Sequence, residues 1–139
     1  MNFLEGLSRL NYWAVLTAAL SAFVIGGAWY SPALFKQRWM AANKFEEADL
    51  KRGNVAVIFA GSFTLALISA LAMALFIGRS PSLSFGVMAG VLVGLCWVGM
   101  SFGITYLFER RPFILFLINA GYHLVTFTVM GIILGLWHR

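Results

Sequence analysis

Four long stretches without Asp, Glu, Lys or Arg constrain the fold more than any other feature of this sequence. They cover residues 10–30, 55–77, 83–108 and 113–137 of a chain of 139 residues. A helix needs about 20 apolar residues to cross the hydrocarbon core of a bilayer. The sequence therefore predicts an all-α polytopic membrane protein, with four transmembrane helices in a single domain over residues 1–139. Its residues are 61% hydrophobic and 11% charged, against roughly 45–50% and 25% in soluble domains.

Lysine and arginine are divided unequally between the two ends of these spans. Seven of them lie in the first and third loops: Lys36, Arg38, Lys44, Lys51, Arg52, Arg110 and Arg111. The opposite side holds Arg9, Arg79 and Arg139. By the positive-inside rule, the first and third loops are cytoplasmic and both termini lie outside. Membrane insertion alone explains this distribution, so the net charge of +5 predicts no nucleic-acid partner; the predicted partner is the lipid bilayer.

The first loop, residues 32–52, is predicted to contain a short cytoplasmic helix that lies on the membrane surface. Ser31 followed by Pro32 is the pattern of an N-cap with proline at the first helical position, so this helix should begin where the first span ends. Its mixture of aromatic, aliphatic and basic residues suits the headgroup region. Asn43 and Glu46 have the spacing of a capping box, which indicates a further helical turn.

Small residues recur at every fourth position and predict close helix packing, because helices in lipid associate through van der Waals contact. The second span carries Ser62, Ala66, Ala70 and Ala74, and the third carries Gly86, Gly90 and Gly94 and, separately, Gly99 and Gly103. At about 100° per residue, the two glycine sets of an α-helix fall on roughly opposite faces. The second set contacts either another helix of the same chain or a second copy. We expect a homodimer or a higher homo-oligomer.

A polar stripe interrupts the fourth span. Asn119, Tyr122, His123 and Thr126 are spaced i, i+3, i+4 and i+7, so they share one face of a helix. Counted from Pro112 at about 1.5 Å per residue, Asn119 lies about 10 Å deep and His123 about 16 Å, close to the middle of the bilayer. Polar groups at this depth require partners.

Side chains of the first and third spans are predicted to meet this stripe. The short "ERRP" turn makes the third and fourth spans antiparallel neighbours, and Trp97, Ser101, Thr105 and Glu109 share a face of the third span. With Trp29 and Tyr30 at the cytoplasmic end, the predicted cavity residues are Asn119, Tyr122, His123, Thr126, Ser101, Thr105, Tyr106, Glu109, Trp29 and Tyr30. Glu109 is also expected to form a surface ion pair with the adjacent Arg110 or Arg111.

Two functions remain open for the stripe. It lines a polar cavity open to the cytoplasm, as in a small transporter or a ligand-binding membrane protein, or it joins helices in a structural or assembly partner of other membrane proteins. No catalytic motif is present, so we predict no enzyme, no catalytic residue, no metal site and no cofactor. A catalytic Ser101–His123 pair is disfavoured because serines in membrane helices are more often packing residues. Haem on His123 is disfavoured because it would need a second axial ligand from another copy of the chain or would leave the iron five-coordinate.

Four segments, in order, resemble those of a family of small, uncharacterised bacterial membrane proteins catalogued as a domain of unknown function. They are "WYSP" at the end of the first span, "ADLKRGN" before the second, "TYLFERRP" at the end of the third and "FLINAGYHLV" in the fourth. The resemblance covers nearly the whole chain. It implies a prokaryotic four-span protein of the cytoplasmic membrane, and it implies no particular activity.

Overall fold

The computed structural model describes residues 2–78 and 82–137, and within these ranges every regular element is a helix. The helices are α1 (Phe3–Ser8), α2 (Tyr12–Trp29), α3 (Lys36–Asn43), α4 (Glu47–Leu50), α5 (Val55–Ile77), α6 (Leu83–Val91), a π-helix (Leu92–Gly99), α7 (Met100–Phe108) and α8 (Phe113–Leu136). α6, the π-helix and α7 form one continuous span, Leu83–Phe108. With α2, α5 and α8 this gives four helices long and apolar enough to cross a membrane. The predicted all-α, four-span architecture is confirmed.

Asparagine side chains set the start of two spans. The Asn11 side chain accepts hydrogen bonds from the N–H groups of Trp13 and Ala14, both at 3.1 Å. The Asn54 side chain accepts one from the N–H of Val57 at 3.2 Å. These bonds satisfy N–H groups that have no partner inside the helix, so α2 and α5 begin directly after the two asparagines.

The chain between α2 and α3 differs from the prediction, because Ser31 does not cap a helix. Residues 31–35 form a turn, and the Ser31 hydroxyl donates back to the Ala28 carbonyl at 2.7 Å. The N–H of Phe35 reaches the Trp29 carbonyl at 3.0 Å, while the two rings lie 4.8 Å apart. Packing of these rings holds the chain in a turn, and α3 therefore begins five residues later than Ser31.

The predicted capping box is displaced by three residues. Glu46 and Asp49 form it, with the Asp49 carboxylate accepting from the Glu46 N–H at 2.8 Å. Asn43 instead donates to the Trp39 carbonyl at 2.8 Å and accepts a hydrogen bond from Arg111. This last bond joins α3 to the turn before α8, so the first and third loops meet at one end of the bundle. Arg79 and Arg139, which contributed to the charge asymmetry, lie outside the described residues.

A helix that we did not predict, α1, precedes the first span. Asn2 and Glu5 form a capping box at its start. Gly6 is buried against α5, where a Cβ would lie 3.2 Å from a methyl group of Leu75. With only six residues, α1 is too short for a helical period to be recognised in the sequence.

α6 packs directly against α8 through glycine. A Cβ at Gly86 would overlap the carbonyl oxygen of Gly131, and a Cβ at Gly90 would overlap that of Phe127. Only residues without a side chain allow two backbones to approach this closely. The contact fixes the position of α8, which carries the polar stripe.

The second glycine set faces α8 as well, so the prediction of two opposite faces is wrong. A Cβ at Gly99 would lie 3.6 Å from the Ala120 Cβ, and one at Gly103 would lie 3.0 Å from the Phe116 ring. The reason is the π-helix, since the prediction assumed an uninterrupted α-helix. Gly99 follows Gly94 by five positions. In an α-helix a step of five positions places the second residue about 140° around the helix from the first. The i→i+5 hydrogen bonds of a π-helix take up the extra residue and keep both glycines on one face.

α5 is attached to the bundle mainly through its C-terminal half. Ala70, Met73 and Ala74 of that half are buried with Ala18 and Ala19 of α2. By contrast, every residue from 55 to 62 is exposed. The N-terminal part of α5, at the same end as α3, therefore packs less closely on the bundle and contacts α2 through aromatic rings, with Phe59 and Phe63 at 6.3 and 5.9 Å from Phe23.

Candidate functional site

Asn119 joins three of the long helices at the end of the bundle that holds α3. Its side-chain amide donates to the Tyr106 hydroxyl of α7 at 2.8 Å, and its carbonyl oxygen accepts from the Tyr30 hydroxyl at 2.7 Å. Beside it, the Trp29 indole N–H donates to the Ile118 carbonyl at 2.9 Å. These bonds connect the C-terminal end of α2 with α7 and α8, so this part of the predicted set does meet.

Tyr122 connects α8 to α2. Its hydroxyl donates to the Ala22 carbonyl at 3.0 Å, and its ring lies 5.4 Å from that of Tyr30. A Cβ added at Gly26 would lie 3.4 Å from the Tyr122 hydroxyl, so this glycine leaves room for the phenol. The phenol is partnered and positioned by α2.

His123 is half-buried and surrounded by aromatic rings. Its ring stacks on that of Phe102, with centroids 5.0 Å apart and planes inclined by 18°. The Tyr122 ring meets it edge-on at 5.0 Å, and the Phe127 ring lies 6.4 Å away. No hydrogen bond joins the imidazole to another residue in the described part of the chain. Its nitrogens therefore remain able to bond to a water molecule or a ligand.

Ser101 and Thr105 do not meet the stripe, and the expectation that they would is wrong. Both are exposed on the outside of the bundle, and the Ser101 hydroxyl donates within its own helix to the Trp97 carbonyl at 2.6 Å. Trp97 is 60% exposed and packs edge-on against Phe76, 6.1 Å away. The π-helix rotates α7 about its axis relative to an uninterrupted α-helix. As a result Tyr106 faces α8 and Ser101 does not.

The predicted ion pair of Glu109 is also wrong. Among residues 2–78 and 82–137, the ion pairs are Lys36–Glu47 and Arg52–Asp49. Glu109 ends α7 at a turn in which Arg110 has a φ of 56° and the Arg111 N–H donates to the Tyr106 carbonyl at 2.9 Å. This is the hydrogen bonding of a Schellman motif, which ends a helix with one left-handed residue.

Two adjoining cavities lie between α2, α5 and α8, with volumes of about 430 and 360 Å³. Four residues line both of them: Ala22, Ser62, Ala66 and Tyr122. We refer to the two together as the α5 cavity. The 430 Å³ part reaches Tyr30, and the 360 Å³ part contains Ser69, His123 and Thr126. Thr126 is only 3% exposed.

Ser62 and Ser69 are cavity residues that the sequence analysis missed. Ser62 was interpreted as part of a packing ridge with Ala66, Ala70 and Ala74, and in the structure the last two of these do pack in the core. Ser62 lies in the exposed N-terminal part of α5. The sequence contains no signal for that exposure, because composition does not show how far along a helix close packing extends.

The long apolar helices and their partnered polar groups define a small polytopic membrane protein. More specifically, the chain belongs to the family described as "Protein of unknown function (DUF1761)", whose family model matches residues 13–135. The match includes every residue that lines the α5 cavity. No curated protein and no solved structure matches the chain.

Proposed function

We propose that this protein binds a small, mostly apolar molecule in the α5 cavity. The observation that supports this most directly is His123, whose ring has no hydrogen bond to another described residue and lines a cavity of about 360 Å³. Ligand sites typically combine a cavity of about 300–1,000 Å³ with apolar walls and a few polar groups that orient the ligand. The α5 cavity has this combination.

The lining favours a neutral ligand. Its polar side chains are the hydroxyls of Tyr30, Ser62, Ser69, Tyr122 and Thr126 and the imidazole of His123. None of the lining residues is Asp, Glu, Lys or Arg. An ionised group inside the bilayer would therefore lack a charged partner, at a cost of several kcal/mol. A neutral amphipathic molecule with a hydrogen-bonding group fits better.

We extend the proposal to transport. The exposed segment of α5, residues 55–62, lies beside the cavity at the end of the bundle with the excess of Lys and Arg. Tilting of α5 would open or close the cavity there, whereas α2, α7 and α8 are joined through Asn119. Alternating access by movement of one part of a membrane protein against another is the usual basis of secondary transport.

A matched pair of substitutions on α5 tests ligand binding. Ala66→Phe fills the cavity, and Ala72→Phe adds the same ring at an exposed position of the same helix. The probe is N-phenyl-1-naphthylamine, a neutral amphipathic fluorophore, added to the protein in phosphatidylcholine nanodiscs. We expect saturable energy transfer from tryptophan in the wild type and in Ala72→Phe, and its loss in Ala66→Phe. Equal transfer in both variants would mean that the probe only partitions into lipid, and the proposal would fail.

A structural or assembly role is the second candidate, and the hydrogen bonds of Asn119 favour it. Both ends of this amide are occupied by phenols, and the Tyr122 hydroxyl is bonded to α2. Holding the helices together would be a sufficient role for this cluster. If the role is structural, variants of the polar cluster should lose function in proportion to their loss of stability. If the role is ligand binding, variants should lose function while they remain folded.

Orientation in the prokaryotic cytoplasmic membrane is part of the proposal, with the α3 end inside and the termini outside. In a Cys96→Ala background, Lys44→Cys should resist an impermeant thiol reagent in intact cells, and Ser82→Cys should react. The reverse pattern would invert the orientation.

We also retain homodimerisation as a proposal, although both glycine sets that suggested it contact α8. The exposed residues 55–62 of α5 offer a different surface for a second copy. Gly61, with no atom within 4 Å of a Cβ placed there, is the position to test. Gly61→Cys in the Cys96→Ala background should form a disulfide-linked dimer in native membranes. A monomer under oxidising conditions would remove this surface from consideration.

A further inference from the structure

A second groove, separate from the α5 cavity, lies between α7 and α8 at the end of the bundle that holds α3. Its volume is about 340 Å³, and its lining residues are Gly103, Tyr106, Leu107, Arg110, Arg111, Phe113 and Phe116. None of these lines the α5 cavity. The groove combines an apolar wall with two arginines, so it is complementary to an amphipathic anion.

The two guanidinium groups are available to an anion. In the described part of the chain neither arginine forms an ion pair. Arg111 donates one hydrogen bond to Asn43, while its Nε is buried and has no partner among the described residues. Arg110 is exposed, and its guanidinium group has no hydrogen-bond partner among the described residues, so it can bind a phosphate through parallel hydrogen bonds.

The start of α8 adds to the positive potential at this position. Its N-cap is Pro112, which provides no side-chain hydrogen bond to the first turn. The first N–H groups of the helix therefore remain unsatisfied by a cap, and the positive end of the helix dipole lies beside both arginines. Anions are stabilised at such ends.

The apolar part of the groove faces the lipid. Leu107 is 80% exposed and Phe113 is 70% exposed. Gly103 leaves the groove open towards the Phe116 ring, because a Cβ added at Gly103 would lie 3.0 Å from that ring. A free inorganic anion would gain nothing from this surface, whereas an acyl chain would lie along it.

We propose that this groove binds an anionic phospholipid, with its phosphate at Arg110 and Arg111 and an acyl chain against Leu107 and Phe113. The charge of the two arginines and the adjoining apolar surface together select this occupant. Basic pockets between transmembrane helices are known to bind anionic headgroups. The site is independent of the proposed ligand cavity and goes beyond it, because no residue is shared.

The test is native mass spectrometry of the purified full-length chain in detergent, mixed with equal amounts of phosphatidylglycerol and phosphatidylcholine. We expect the wild type to retain phosphatidylglycerol preferentially. Arg110→Gln with Arg111→Gln should weaken its binding about 30-fold, since each cation near the headgroups contributes roughly a factor of five. Arg110→Gln alone should give part of this loss without affecting the Arg111–Asn43 bond.

The control is Arg38→Gln, which removes an exposed arginine of α3 at the same end of the bundle. It should leave the lipid preference unchanged. An equal loss in the control would mean that interfacial charge acts without a site, and the proposal would be wrong. It would also be wrong if the double variant kept the preference. Displacement of the lipid by millimolar inorganic phosphate would instead identify a site for the free anion.

Discussion

Replacement of Gly90 by alanine tests the direct contact between α6 and α8. The new methyl group would lie 2.7 Å from the Thr128 Cα and 2.9 Å from the Phe127 carbonyl carbon. Ordinary carbon contacts need about 3.5 Å or more, so the two backbones must separate by roughly 0.8 Å. Both neighbouring atoms belong to backbone and cannot rotate away.

The size of the effect follows from this separation. A gap of about 0.5–1 Å removes a quarter to a half of the dispersion energy of each contact it affects. Overpacking of this kind costs about 1–3 kcal/mol, and alanine returns about 0.5–1 kcal/mol because it favours the helix. We therefore expect Gly90→Ala to destabilise the protein by about 1 kcal/mol, and by about 2.5 kcal/mol at most.

Gly61→Ala is the matched control, since nothing lies within 4 Å of a Cβ at Gly61. The same substitution should there leave stability unchanged or raise it by up to about 1 kcal/mol. The assay is reversible unfolding in detergent, followed by circular dichroism with both variants side by side. If Gly90→Ala is as stable as Gly61→Ala, the helices are not in backbone contact and the reasoning fails.

Two further substitutions and a pair of deletions have distinct expected outcomes. His123→Gln should keep the wild-type unfolding temperature and weaken N-phenyl-1-naphthylamine binding several-fold; a large drop in that temperature would favour a packing role. Asn119→Leu removes the hydrogen bonds to the Tyr30 and Tyr106 hydroxyls in a half-buried site and should lower the free energy of unfolding by about 1–3 kcal/mol, measured by the same assay. No loss would mean that water replaces the amide. Deletion of Cys96 should be tolerated in expression and size-exclusion tests, because it converts the π-helix to α-helix and keeps both glycine sets facing α8. Deletion of Val87 should abolish folding, because it rotates the following residues by about 100°.

The four spans could be predicted because length and composition alone decide which segments can cross a bilayer. The positions of α2, α5 and α8 agree with the charge-free stretches to within two residues at each end. The π-helix could not be predicted, because its hydrogen bonds depend on packing against α8 and no residue type marks it. This one feature explains both errors in the third span, the glycine faces and the placement of Ser101.

The polar cluster was predicted in part. Spacing placed Asn119 and Tyr122 on one face, and helix direction placed Tyr30 at the same end. The sequence could not decide which phenol bonds to which group, since Tyr106 reaches Asn119 only through the rotation that the π-helix introduces. The α5 cavity is lined by four of the predicted cavity residues, Tyr30, Tyr122, His123 and Thr126. Its α5 wall was not predicted, because that wall depends on where the close packing of α5 ends.

The loose packing of α5 at the end nearest α3 makes the protein sensitive to the thickness of the membrane. α2 has 18 residues and α5 has 23, so the two helices are about 27 and 35 Å long. A hydrocarbon core of about 30 Å matches α2 but requires α5 to tilt. A thinner bilayer increases that tilt and a thicker one reduces it. Because α5 packs least closely at the end nearest α3, the width of the α5 cavity should follow the acyl-chain length of the host lipid.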